Sequence, residues 1–132
     1  MPRSADVIAA VSAALIGALW PLAATARPWG AVAYSRSTGE SGYSYSYATE
    51  DRAKNEALSE CAKAAADCRV LFTVEGKRCA AFAVADNNDT IYLTEGSSEA
   101  DAAIKAKDSC MRAGGKNCTM EHAQCASRSP QP

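Results

Sequence analysis

Six cysteines, Cys61, Cys68, Cys79, Cys110, Cys118 and Cys125, limit what this chain can fold into more than any other feature. They fall into two triplets, and each triplet begins at the end of an Ala-rich stretch. Laying Ala48–Cys61 (ATEDRAKNEALSEC) on Ser97–Cys110 (SSEADAAIKAKDSC) needs no gap. Upstream of each lies a pair of strand-like runs. The first pair is Trp29–Ser35 with Gly42–Tyr47, and the second is Ala80–Ala85 with Thr90–Thr94. Recurrence at a fixed period is the signature of a duplicated supersecondary unit. The spacing predicts an α+β fold of two ββαβ repeats with antiparallel pairings, packed as one small domain. Repeat one covers about 29–79 and repeat two about 80–125.

Zinc knuckles bring two cysteines within C-x(2–4)-C, and the tightest spacing here is C-x6-C, so metal binding is set aside. An even cysteine count in a small exported domain reads as disulfides. Cys61 at a helix end can bridge to Cys68 across the following turn, and Cys110 to Cys118 in the same way. Cys79 and Cys125, taken as equivalent by the repeat, are then expected to join the two halves.

Local chemistry supports the elements. Thr49 suits a helix N-cap with Glu50 and Asp51 at the positive end, and Ser98 with Asp101 resembles a capping box. Ala53, Ala57 and Cys61 share one helix face, as do Ala102, Ala106 and Cys110. Gly114–Gly115 ends the second helix, and the first is expected to stop near Asp67. Gly39–Gly42 and Asp86–Asp89 supply turns, and Arg69–Glu75 (RVLFTVE) has strand composition.

Residues 1–26 read as a signal peptide. Arg3 precedes the uncharged run Val7–Leu22, and Ala24-Thr25-Ala26 offers the small-x-small site, placing cleavage before Arg27. An uncleaved anchor is the alternative, because the uncharged run is long enough to span a bilayer. Export to the periplasm or medium is expected, with no membrane insertion after cleavage. Residues 127–132 (SRSPQP) are expected to be disordered. The chain carries 14 Lys and Arg against 15 Asp and Glu, and the leader removes one of each sign. No basic stripe is present, which argues against a nucleic-acid partner.

The search for chemistry finds little. His122 is the only histidine, and strand alternation turns its neighbour Glu121 away from it, so it reads as a surface or rim residue. Neither a Gly-x-Ser-x-Gly elbow nor a His-Glu-x-x-His pair occurs. Asp86–Asp89 lacks the alternation and later glutamate of a calcium loop. No catalytic residue, metal ligand or cofactor is assigned. The most distinctive stretch is Gly42–Tyr47 (GYSYSY). A two-residue period puts Tyr43, Tyr45 and Tyr47 on one face and Ser44 and Ser46 on the other. With Trp29 and Tyr34 in the same hairpin, these aromatics form a candidate surface for a protein or glycan. The need of an Ala-rich helix for large side chains opposite it favours the other reading, in which they form the core.

The opening Trp29–Tyr34 (WGAVAY), the Tyr-rich strand, the helix ending at Cys61, the strand led by Cys68 and Cys79–Ala83 (CAAFA) resemble the domain of unknown function 4189 family of exported bacterial proteins. The resemblance covers Trp29 to Cys125. It implies export and a shared fold, and it brings no reaction with it. The second half departs from the family pattern, carrying Thr90–Thr94 (TIYLT) where members often repeat a Gly/Trp/Tyr-rich strand. The expected function is an exported, disulfide-stabilised binding protein. A cell-wall or glycan hydrolase using unidentified carboxylates, and a structural envelope protein, are the alternatives.

Overall fold

Two apolar runs without charge, Trp29–Tyr34 (β1) and Cys79–Ala85 (β4), become central strands buried on both faces. The computed structural model describes residues 27–86 and 90–128. The expected signal peptide lies outside them, as do 87–89 of the second turn and 129–132 of the tail. β1 lies between Ser41–Tyr47 (β2) and Arg69–Glu75 (β3), and β4 between Thr90–Gly96 (β5) and Thr119–Cys125 (β6), all antiparallel. The helices are Glu50–Ala62 (α1) and Glu99–Arg112 (α2). The halves superpose by position: Ala31, Val32 and Ala33 of β1 take the places of Ala81, Phe82 and Ala83 of β4.

Side-chain size along the central strands sets the layers. Alternate residues face opposite ways. Ala31 and Ala33 meet Ala53, Ala57 and Cys61 of α1, while Ala81, Ala83 and Ala85 meet Ala102, Ala106 and Cys110 of α2. Alanine against alanine lets each helix lie close on its sheet. The other faces carry Val32, Tyr34, Phe82 and Val84, which pack on one another between the sheets. Tyr34 and Phe72 both meet the Phe82 ring edge-on, with centroids 5.0 and 6.5 Å away. The order of layers is helix, sheet, sheet, helix. On one flank β2 lies against β6, and on the other β3 lies against β5.

The helix caps follow the sequence. Thr49 accepts from the Arg52 N–H and Ser98 from the Asp101 N–H, whose carboxylate reaches back to the Ser97 N–H. α1 stops at Ala62, short of Asp67. The Ala64 and Ala65 N–H groups fold back onto the Cys61 carbonyl, and Asp67 is drawn away to the Ser35 and Ser37 hydroxyls in the first turn.

The bridges are Cys61–Cys68, Cys110–Cys118 and Cys79–Cys125. The last does not join the halves. Cys79 faces Cys125 in the β4–β6 register, inside the second sheet. Its counterpart in the first sheet is the pair Trp29–Glu75. Cys79 therefore opens the second repeat; it does not close the first. All three bridges lie within a half, and the covalent link between halves is Gly76, Lys77 and Arg78.

Candidate functional site

Two irregularities of the backbone shape the β2–β6 flank. Trp29 pairs with Tyr47 and Ala31 with Ser44, so β2 carries one residue more than β1 between these points, with Ser46 at a positive φ of 61°. Such a bulge resets the alternation beyond it. Ser44 faces α1 and donates to the Ala53 carbonyl, leaving Tyr43 and Tyr45 on the opposite side. Tyr47, past the bulge, turns to the helix side and packs with Trp29 against the α1 core. The three tyrosines thus do not share a face. The second irregularity is an extra residue, Glu121, in β6 opposite the Phe82–Ala83 step. The same step in the first half leaves Leu71 extra in β3.

His122 and Gln124 then meet Tyr43 and Tyr45. Gln124 is fully buried, and its Nε2 donates to the Ser44 carbonyl at 3.0 Å. With that nitrogen committed, Oε1 is left to accept, and it lies 2.9 Å from His122 Nε2. His122 therefore carries its proton on Nε2. The imidazole stacks on the Tyr43 ring, centroids 3.7 Å apart at 12°. The Tyr45 hydroxyl is 3.5 Å from the same nitrogen, and the Arg128 guanidinium lies 4.6 Å above the Tyr45 ring. The Ser46 N–H donates to the Ala126 carbonyl and fastens β2 to the end of β6. Burial pushes His122 below the usual histidine range, opposed by its hydrogen bond to Gln124. Burial raises the Tyr45 phenol, opposed by Arg128. Gly30 makes room for this arrangement: a Cβ there would stand 2.9 Å from both Gln124 Nε2 and the Ser44 carbonyl oxygen.

Beside this cluster an open groove of about 540 Å³ runs the length of β2. Tyr43, Tyr45 and Tyr47 contribute to it, Glu56 and Glu60 of α1 form one wall, and Arg128 lies at the margin. A larger opening of about 800 Å³ lies where the chain crosses between halves, near Arg27, Lys77 and Ser127. Two of its cations pair locally, Arg27 with Glu75 and Arg78 with Glu95.

Of the candidate surface, Tyr43 and Tyr45 come together on the flank. Tyr34 does not: it is buried between the sheets, so it belongs to the core and not to an exposed aromatic face. Its hydroxyl has no partner among the described residues, and burial raises its phenol with Glu121 acting in the same direction. Trp29 and Tyr47 are half-buried under α1. His122, Gln124 and Arg128 were not in the candidate surface. The signal for them is the repeat itself, because His122 and Gln124 occupy the places of Phe72 and Val74. Arg128 and Ser127 belong to the stretch expected to be disordered, and Arg128 packs on Tyr45.

Among the described residues, no helix is long and apolar enough to cross a membrane. A family model described as Domain of unknown function (DUF4189) matches residues 29–125. No curated protein and no solved structure matches the chain.

Proposed function

The chain belongs to the domain of unknown function 4189 family, and we propose that it is an exported binding protein whose contact surface is the Tyr43–Tyr45–His122–Arg128 flank. One observation carries this reading: the other half of the molecule builds the same flank from different chemistry. There, Leu93 and Phe72 stand for Tyr43 and His122, Val74 and Ala80 for Gln124 and Gly30, and an Arg78–Glu95 ion pair for Arg128 on Tyr45. The fold is therefore satisfied by apolar side chains at these places. A buried glutamine and a half-buried histidine are costly substitutes unless fully hydrogen-bonded. Retaining them beside a Tyr43 that is 37% exposed argues for contact with something outside the chain. Tyrosine offers a large contact surface with little rotamer entropy to lose.

Three bridges in so small a domain support an oxidising compartment, and the leader supports export. Affinity capture with the oxidised protein, run beside Tyr43→Ala and Tyr45→Ala, tests the surface. A partner held by the wild-type chain and lost by both variants is expected. Equal capture by all three refutes the flank as contact surface. N-terminal sequencing of the cell-envelope and culture fractions tests export: Arg27 is the expected first residue, and recovery only in the cytoplasm beginning at Met1 overturns it.

A further inference from the structure

We infer that the β2 groove recognises an extended, positively charged segment of a partner protein, with Arg128 occupying part of that site from within the chain. This rests on the flank being a contact surface and adds what it contacts. Three features converge. First, Arg128 already places a guanidinium over the Tyr45 ring at 4.6 Å, so the groove in its present geometry accepts a cation on a tyrosine face. Second, the α1 side of the groove is acidic: Glu56 and Glu60, one helical turn apart, both line it. Glu60 pairs with Lys63 at 3.0 Å, whereas Glu56 makes none of the ion pairs among the described residues. Third, β2 is an edge strand with β1 as its neighbour. The ladder alternation turns the main-chain groups of every second β2 residue away from β1. With the Ser44 carbonyl and the Ser46 N–H already taken by Gln124 and Ala126, an extended segment can pair along Ser41–Tyr43.

The matching place in the second half lacks this character. Glu95 stands where Tyr45 does, and Arg78 binds it at 3.8 Å as an ion pair, so that cation is neutralised by a carboxylate. On the β2 flank the Arg128 guanidinium lies over the Tyr45 ring instead. A lysine or arginine of a partner can take the same seat, while a further cation of the same segment can meet Glu56 and Glu60 on the α1 side of β2. Arg128 is then a competitor, and removing it strengthens binding.

The test is calorimetric titration of the purified oxidised protein with three probes: the peptides Lys-Thr-Lys-Thr-Lys and Glu-Thr-Glu-Thr-Glu, and chitotetraose. The lysine peptide is expected to bind, with affinity falling as salt rises. Tyr45→Ala is expected to weaken it about tenfold, and Arg128→Ala to tighten it about threefold. Glu56→Gln with Glu60→Gln changes a half-exposed helix face and keeps the test decisive should Tyr45→Ala unfold; it is expected to weaken binding. Preference for the glutamate peptide or the glycan, or weakening by Arg128→Ala, overturns the cationic assignment and leaves the flank as a contact surface. Absence of binding by the lysine peptide also overturns it, and the capture experiment decides the surface separately.

Discussion

The two halves share one plan and differ in where a tyrosine is wedged beneath the helix. In the first half β2 has Gly42 where β5 has Tyr92, and Tyr47 where β5 has Gly96. A Cβ on Gly42 would come within 2.2 Å of the Ala57 carbonyl oxygen, so α1 lies closest to its sheet toward its C-terminal end. A Cβ on Gly96 would come within 2.4 Å of the Ala102 nitrogen, so α2 lies closest at its N-terminal end. Tyr47 and Tyr92 pack under the opposite ends. One supersecondary unit thus tolerates both arrangements, provided a glycine stands where the helix touches. The β2–β6 and β3–β5 flanks differ in a second way, polar and aromatic against apolar, with Leu93 48% exposed in the latter.

The sharpest way to break this comparison is covalent. With a specific protease site built into Gly76–Arg78 and cut, the denatured but unreduced protein is expected to separate into two fragments on electrophoresis. A single band that splits only on reduction would mean that a bridge crosses between the halves. Next in size is the shared sheet–sheet core. Phe82→Ala is expected to cost about 3–5 kcal/mol, and Val32→Ala at the matching position about 2 kcal/mol, both by denaturant unfolding. Similar costs for the two would show that the halves do not contribute unequally to that layer.

The flank can be converted from one chemistry to the other. Gly30→Ala alone crowds Gln124 and is expected to cost about 1–3 kcal/mol. Combined with Gln124→Val, which brings the Ala80–Val74 side chains to this flank, it is expected to recover only the part of that loss due to Gln124, because the Ser44 and Ala126 carbonyl oxygens still crowd the new Cβ. A double-mutant cycle with no coupling would separate the two positions. The smallest effect is on pH. The folded state holds His122 below its ordinary value of 6.5, so the unfolded chain takes up the proton first as pH falls. Stability is unaffected above about pH 6.5 and declines below it until the folded histidine also titrates. His122→Phe, the residue found at Phe72, is expected to reduce the decline of Tm between pH 7 and 5; an unchanged decline would assign it to other groups.

The repeat made much of the fold legible, because Ala-rich helix faces, cap residues and strand composition agree in both copies. The α1 terminus was not legible, since its stop depends on Asp67 reaching Ser35 and Ser37 from a distant turn. Cysteine order cannot tell whether a third cysteine closes one unit or opens the next, and Cys79 is decided by its pairing opposite Cys125. In the candidate surface, alternation placed Tyr43 and Tyr45 together, and the bulge at Ser46 removed Tyr47 from them. Tyr34 was misplaced because β1 is buried on both faces, where alternation distinguishes two interiors and not inside from outside. His122 and Gln124 become visible only when the copies are aligned strand by strand.

Each half closes its cross-links within itself and offers the other a complementary apolar face, which every other copy of the chain offers too. What keeps the pairing within one molecule is the tether of Gly76, Lys77 and Arg78, which holds the two faces at an effective concentration far above that of neighbouring chains. Lengthening or stiffening those three residues therefore tunes whether halves pair at home or are exchanged between molecules.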